Sequence, residues 1–180
     1  MHEKRFNGGI EKLRSPERVA RLEVERVVDL CLAGAEIKSV LDVGTGSGLF
    51  AEAFFKRGVT VVGIDANPDM LPVARDYVPK ADFRQAEAER LPFPDDSFDL
   101  VFMGLLLHES DEPIEVLQET LRVTRERVCI LEWPYIEGEF GPPLAHRVKP
   151  ADLIRYAQQA AFKKIVNQEL TNLTLYQLTK

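Results

Sequence analysis

Residues 40–48 read VLDVGTGSG, and this stretch decides the fold class. The β-branched, apolar run Ser39–Val43 is typical of a buried strand, and helical spacing follows through Phe55. Glycines occupy positions 44, 46 and 48, between the two elements. A residue without a Cβ permits a tight turn there and lets a ligand approach the backbone. We therefore predict a ligand-binding turn between a buried strand and a helix.

The spacing of the three glycines distinguishes between classes of ligand. Dinucleotide-binding folds favour the pattern Gly-x-Gly-x-x-Gly, whereas this turn reads Gly-x-Gly-x-Gly. The turn is therefore not the fingerprint of a Rossmann dehydrogenase. A plain strand-to-helix turn is the alternative, but such a turn rarely needs three glycines.

Strand and helix patterns alternate along the rest of the chain. Apolar runs predict further strands at residues 59–64, 81–83, 98–103 and 128–131. Helical spacing predicts helices at residues 15–32, after the second strand, at 116–123 and at 151–161. Two closing strands, at residues 165–166 and 173–178, are expected to pair antiparallel. This order predicts a doubly wound, Rossmann-like α/β fold whose mostly parallel sheet ends in an antiparallel closing strand.

The bulk composition favours one domain. With 180 residues, of which 45% are hydrophobic, the chain can furnish one core without disulfides or a structural metal. We expect a single domain over residues 1–180, with residues 1–34 as an N-terminal helical cap. Cys31 and Cys129 lie far apart among apolar neighbours and read as buried, reduced thiols. No metal site is expected.

The net charge and the hydropathy of the sequence limit the kinds of partner that we expect. The formal net charge of -6, with acids and bases mixed along the chain, argues against a nucleic-acid partner. The N-terminal residues contain no apolar signal core, and no later run is long enough to span a bilayer. We expect a cytoplasmic protein with no membrane partner, and the sequence leaves the oligomeric state open.

Asp65 stands at the end of the second predicted strand. A carboxylate at this place can accept hydrogen bonds from both ribose hydroxyls of a bound nucleoside. A solvated, helix-capping aspartate is the alternative. After the third strand, residues 86–99 read AEAERLPFPDDSFD.

The ordered set of the glycine turn, Asp65, Glu87 and residues 91–93 resembles the class I S-adenosylmethionine-dependent methyltransferases. The resemblance runs from about residue 40 to residue 132 and is strongest to the branch similar to the ubiquinone and menaquinone C-methyltransferases. It implies S-adenosylmethionine as cofactor and methyl transfer to a small-molecule acceptor. Glu87 departs from the family's Asp-Ala pair, because its side chain is one methylene longer.

The resemblance also implies which residues bind the cofactor. They are Asp42, Gly44 and Gly46 at the methionine portion, Asp65 at the ribose, Ala66, Met70, Glu87 and Ala88 at the adenine, and Met103 beneath the sulfonium.

His108 is the candidate catalytic residue. It follows the fourth strand at the carboxyl edge of the predicted sheet, where ligands of open α/β folds bind. The near-neutral intrinsic pKa of histidine suits a general base that removes a proton from the acceptor, and a structural histidine is the alternative.

The candidate substrate-binding residues follow the fifth strand. Glu132, Trp133 and Tyr135 would present one carboxylate and two aromatic surfaces to the acceptor. His146 and Arg147 lie in residues 134–149, which carry five prolines and glycines and read as a loop. They would close over the pocket or bind an acidic substrate group, or else they are ordinary exposed cations. Residues 6–18 are expected to fold over the same site.

Two other functions fit the same pattern. A non-catalytic regulatory or partner subunit would bind the cofactor without turnover. An aminopropyl transferase would carry extra acidic residues around the acceptor pocket to bind a polyamine.

Overall fold

The computed structural model describes residues 9–180. Residues 1–8 of the expected N-terminal cap, and with them the start of the segment expected to cover the site, lie outside the described residues. Six α-helices are present in the described part: α1 Pro16–Arg21, α2 Val24–Leu32, α3 Leu49–Lys56, α4 Met70–Tyr77, α5 Pro113–Val123 and α6 Pro150–Gln159. Three short 3₁₀ helices span Ile10–Arg14, Leu107–Glu109 and Leu144–His146.

The strands are β1 Ser39–Val43, β2 Thr60–Asp65, β3 Asp82–Gln85, β4 Phe98–Gly104, β5 Thr124–Glu132, β6 Lys164–Glu169 and β7 Thr174–Thr179. They form one sheet in the order β3-β2-β1-β4-β5-β7-β6. Strands β1 to β5 pair in parallel, and β7 runs antiparallel to both β5 and β6. The predicted doubly wound α/β fold, with its antiparallel closing strands, is confirmed.

Helices cover both faces of the sheet. One buried cluster contains side chains of α2, α3 and α4, and the other contains side chains of α5 and α6. Cys31 and Cys129 are buried free thiols, as the sequence indicated. No helix within residues 9–180 is long and apolar enough to cross a membrane.

The predicted helix at residues 15–32 is two helices in the structure. Ser15 caps the first, as its position indicated, because its hydroxyl accepts a hydrogen bond from the Arg18 amide at 3.3 Å. Glu23 then adopts a left-handed backbone with φ of 47°, which ends α1 before α2 begins. The Glu23 carboxylate accepts hydrogen bonds from the Thr171 amide and from Arg26, both at 2.7 Å. The hydrogen bond between Glu23 and Thr171, which are 148 residues apart in the sequence, therefore stabilises this break between the helices. No glycine or proline marks the break in the sequence.

The strand order reverses between β1 and β4, because the chain winds from β1 outward through β2 and β3 and then returns to the other side of β1. Parallel sheets bind ligands at the carboxyl ends of the strands beside such a reversal. The glycine turn after β1 and the segments after β2, β4 and β5 therefore meet at this edge.

Candidate functional site

A cleft of about 1170 Å³ opens at the carboxyl edge of the sheet. Its walls come from the glycine turn, from the ends of β2 and β4, from the segments after β3 and β5, and from the N-terminal helices. Most of the predicted site residues line this one cleft, although they lie far apart in the sequence.

The glycine turn is anchored to the end of β2. The amides of Gly44 and Thr45 both donate to the Ile64 carbonyl at 2.9 Å, and the Gly46 amide donates to Oδ2 of Asp65 at 2.8 Å. Gly44 has a φ of 71°, and a Cβ added there would lie 2.9 Å from the Leu106 side chain. Glycine is thus required by the backbone conformation and by the close approach of Leu106.

Asp65 lines the cleft with a carboxylate of fixed orientation. Its Oδ2 accepts from Gly46, and its Oδ1 accepts from the Asn67 amide at 2.9 Å. A carboxylate offers about four lone-pair sites, so both oxygens can accept further hydrogen bonds. The arrangement suits a pair of neighbouring hydroxyls.

Asp42 lies deeper in the cleft wall, with only 2% of its surface exposed. The Thr45 hydroxyl donates to its Oδ2 at 2.7 Å. Burial, with a smaller effect from the nearby charge of Asp65, raises the pKa of Asp42 to about 7, although the Thr45 hydrogen bond opposes the rise. Thr45 was not among the predicted residues, and its place three positions after Asp42 is the signal that indicates the contact.

The predicted adenine residues form a mixed slot beside Asp65. Ala66, Met70, Glu87 and Ala88 all line the cleft, together with Leu106. Apolar side chains together with one carboxylate can hold an aromatic base that carries an amino group.

The structure corrects the position expected for Met103. Its side chain is completely buried in the cluster shared with α5 and α6, away from the cleft. Successive side chains of a strand point to opposite faces, so Met103 at the end of β4 points into the core. The residues that line the cleft are Gly104 and Leu105.

His108 and Glu132 form a buried pair, of which His108 lines the cleft. His108 Nδ1 lies 3.1 and 2.9 Å from the two Glu132 carboxylate oxygens, and the His108 amide also donates to Oε1 at 3.1 Å. The Trp133 amide donates to Oε2 at 3.2 Å. Burial lowers the pKa of His108, but the hydrogen bond and charge of Glu132, with a contribution from Glu109, outweigh it and raise the pKa above its usual value.

Glu132 therefore lies behind His108 rather than in the cleft wall where a substrate-binding residue was expected. The side chain is buried, and its known contacts are to His108 and to the Trp133 amide. Such a carboxylate fixes the imidazole ring and its tautomer.

The segment after β5 is closed by Arg147, which the structure does not place in the cleft wall. The buried guanidinium donates to the carbonyls of Pro134, Ile136, Phe140 and Pro142 at 2.5 to 3.0 Å. Because its N–H groups donate to four backbone carbonyls, Arg147 stabilises this loop and is not placed to bind an acidic substrate group. A cation with these partners is retained inside the protein because its hydrogen bonds are satisfied.

The other three predicted acceptor residues are divided between the cleft and its surroundings. Trp133 and His146 line the cleft, whereas Tyr135 lies outside it with Lys149 Nζ 5.5 Å from its ring centre. A Cβ on Gly141 would lie 2.7 Å from the Trp133 ring, so the loop packs directly against the indole.

Removing the Arg147 guanidinium is expected to destabilise the loop and the domain. Arg147→Met should lower the free energy of unfolding by about 2 kcal/mol or more, because several charge-assisted hydrogen bonds to buried carbonyls are lost. Arg147→Lys should restore only part of it, since an ammonium cannot reproduce the planar fork. Urea unfolding measures both. Equal stability of Arg147→Met and the wild type would contradict this role.

Six residues before β1 also contact the cleft or its rim and were not predicted individually: Lys12, Leu13, Arg14, Arg18, Arg21 and Leu22. Arg14 Nε donates to the Ser47 carbonyl at 3.1 Å and Nη1 lies 2.6 Å from Glu52, which fixes the first 3₁₀ helix against the glycine turn. The arginines are spaced by four and three residues, a helical spacing that places side chains on one face and could have indicated this surface.

Comparison with known proteins gives the family. Residues 41–130 match the family model described as a methyltransferase domain. The demethylmenaquinone methyltransferase of Chlorobaculum parvum is 30% identical over 159 residues, 75% of this chain and 66% of that protein. That of Renibacterium salmoninarum is 37% identical over 103 residues, 57% of this chain and 44% of that protein. The alignments thus span less than two thirds of the length of these relatives.

A solved structure shows the same fold over nearly the whole chain. The S-adenosylmethionine-dependent methyltransferase of Aquifex aeolicus superposes with a TM-score of 0.80 at 24% identity, covering 94% of this chain and 95% of that one. The family model covers half of the sequence, and the glycine turn and Asp65 lie within it. The chain belongs to the class I S-adenosylmethionine-dependent methyltransferases.

Proposed function

We propose that this protein binds S-adenosylmethionine at the glycine turn and Asp65, and transfers its methyl group to a small-molecule acceptor beside His108. One observation carries the proposal: the carboxylate-bound histidine and the nucleoside-type site open into the same cleft. A subunit that only binds the cofactor has no need of an oriented histidine in that cleft.

The residues at the glycine turn fit the cofactor. The fixed carboxylate of Asp65 suits two ribose hydroxyls, and Glu87 suits the amino group of adenine. Asp42 and the Thr45 hydroxyl lie where the cationic amino-acid portion would be bound. When bound, S-adenosylmethionine supplies a methyl group activated by a positively charged sulfur, so the protein has to position the acceptor and, where needed, remove a proton.

His108 would remove that proton. Glu132 binds Nδ1, so the ring atom left to accept a proton from the acceptor is Nε2. The carboxylate also stabilises the imidazolium that forms, as the raised pKa of His108 indicates. Glu132 is thus a positioning residue. Trp133 and His146 line the space in which the acceptor would lie.

The relatives support a small acceptor. Two are named for demethylmenaquinone, and a third, from Cereibacter sphaeroides, is a phosphatidylethanolamine N-methyltransferase that is 40% identical over 109 residues, 57% of this chain and 53% of that protein. These names give different acceptors, and only the third names an acceptor atom, nitrogen, so they do not select the acceptor atom here. The absence of a nucleic-acid partner and a cytoplasmic location stay predictions.

An isotope-transfer screen tests the proposal. S-adenosylmethionine with a labelled methyl group is incubated with the protein and panels of phenols, quinols, amines and acids, and both labelled product and S-adenosylhomocysteine are quantified. We expect equal amounts of the two for at least one class of acceptor. Saturable binding of the cofactor with no turnover in any class would support the regulatory alternative. Transfer of an aminopropyl group from decarboxylated S-adenosylmethionine to an amine, with release of 5′-methylthioadenosine, would support the other.

Asp42 makes cofactor binding depend on pH. Its pKa of about 7 means that the unliganded site is largely protonated at pH 6, and a bound cation favours the carboxylate. Affinity for S-adenosylmethionine should therefore rise between pH 6 and pH 8, with release of a proton below pH 7. Calorimetry in buffers of different ionisation enthalpy measures this release, and Asp42→Asn should abolish it.

The same shift predicts a second effect of Asp42→Asn. Folding raises this pKa above 3.8, so the contribution of Asp42 to stability is present below that pH and is lost as the pH rises through about 7. The unliganded variant should therefore gain more stability over the wild type at pH 8 than at pH 5. A pH-independent difference would contradict the raised pKa.

A further inference from the structure

Two arginines of α1 line the end of the cleft that contains His108. Arg18 lies close enough to Glu109, the neighbour of His108, for the two charges to interact. The Arg21 guanidinium lies over the Phe140 ring, with 3.4 Å between Cζ and the ring centre. The pair therefore bridges the segments that follow β4 and β5.

Arg18 has an unused donor. Its Nε is buried and has no hydrogen-bond partner among the described residues. A buried N–H without a partner costs free energy, and native proteins rarely leave one unless a ligand or water completes it. Burial, followed by the charge of Arg21, lowers the pKa of Arg18, and Glu109 offsets this only in part. An oxyanion bound beside Arg18 would offset both the burial and the charge of Arg21.

Arg21 is held in place without using its donors. Its guanidinium lies over the Phe140 ring, and its side chain makes no hydrogen bond to another of the described residues. A guanidinium that covers an aromatic ring can still direct the N–H groups of its own plane to a planar or tetrahedral oxyanion.

The arginine pair is distinct from the residues that cover the glycine turn. Leu13 and Arg14 lie there: a Cβ on Gly46 would contact Leu13 at 3.6 Å, and Arg14 binds the Ser47 carbonyl. The 3₁₀ helix Ile10–Arg14 therefore packs on the glycine turn, whereas the two arginines of α1 lie near the segments that follow β4 and β5.

We propose that Arg18 and Arg21 bind an oxyanionic group, a carboxylate or a phosphate, carried by the methyl acceptor. This inference rests on the proposed function. Glu89, Glu109 and Glu139 also line the cleft, but the Ser110 hydroxyl binds Glu89 at 2.9 Å and Arg18 faces Glu109. Two arginines at this end disfavour the polyamine that an aminopropyl transferase would require.

Matched ligands test the pair before the acceptor is known. Benzoate, phenyl phosphate and the neutral benzamide are titrated by calorimetry into protein saturated with S-adenosylhomocysteine and into unliganded protein. We expect saturable binding of at least one acid and at least about tenfold weaker binding of benzamide. Arg18→Gln and Arg21→Gln should each weaken binding of the acid by about tenfold, and the exposed control Arg155→Gln should not.

The proposal would be overturned if benzamide bound as tightly as the acids, or if the acids bound Arg18→Gln as tightly as the wild type. It would also be overturned if neither acid showed saturable binding. A second arm compares S-adenosylhomocysteine with 5′-methylthioadenosine, which lacks the amino-acid carboxylate. If Arg18→Gln weakens binding of S-adenosylhomocysteine but not of 5′-methylthioadenosine, the arginine pair binds the carboxylate of the cofactor, and its assignment to the acceptor is wrong. Failure of the wild type to bind S-adenosylhomocysteine would refute the proposed function, while the titrations of unliganded protein would still test the pair.

Discussion

His108→Gln is expected to lower the rate of methyl transfer by about 10²- to 10⁴-fold, the range that a positioned general base contributes. Affinity for S-adenosylhomocysteine should stay close to that of the wild type, because the proposed cofactor contacts are the glycine turn and Asp65 rather than His108. The rate is measured with the acceptor found by the isotope-transfer screen, and affinity by calorimetry. Parallel loss of both would indicate a structural histidine instead.

Glu132→Gln separates positioning from packing. The amide has nearly the same shape but loses the charge that helps raise the pKa of His108. The base must be neutral to accept a proton, so the acidic limb of the pH–rate profile should move to lower pH while the plateau rate falls. Glu126→Gln, exposed on the same strand, is the matched control. A lower plateau without movement of the limb would contradict the role of the Glu132 charge.

Asp65→Ala is expected to weaken binding of S-adenosylmethionine by about 1–3 kcal/mol, or roughly five- to 150-fold. The substitution removes the expected acceptor of the ribose hydroxyls and leaves the amides of Gly46 and Asn67 without their partner. S-adenosylhomocysteine and 5′-methylthioadenosine should lose affinity equally, since both carry the ribose. Calorimetry measures the three ligands.

Asp82→Ala serves as the control for Asp65→Ala, because Asp82 is an exposed aspartate at the start of β3, paired with Arg84. The melting temperature of each variant shows whether it is folded. Unchanged affinity in folded Asp65→Ala would reject the ribose contact.

The sequence predicts the fold well because parallel strands covered on both faces are continuous apolar runs. The run before the glycine turn is β1 with the predicted bounds, Ser39–Val43. Strand β5 begins at Thr124, four residues before its predicted start. The prediction missed these residues because they are polar and partly exposed, so they do not extend the apolar run. The break at Glu23 was missed because its stabilising partner, Thr171, lies near the other end of the chain.

Part of the candidate site could likewise be predicted from the sequence, and part could not. Local signals place Asp65 and the glycine turn, since each follows a recognisable strand. The pairing of His108 with Glu132 depends on the alignment of β4 with β5, in which Gly104 pairs with Leu131, and only the folded sheet provides it. Arg147 looked like an exposed cation, because its four acceptors are backbone carbonyls that carry no sequence signature.

Calorimetric titration with S-adenosylmethionine, S-adenosylhomocysteine and NAD tests the central claim most directly. The account predicts saturable binding of the first two at one site per chain, weakened by Asp65→Ala, and no binding of NAD, whose pyrophosphate needs a different glycine spacing. Binding of NAD, or of none of the three, would contradict the assignment of the cleft.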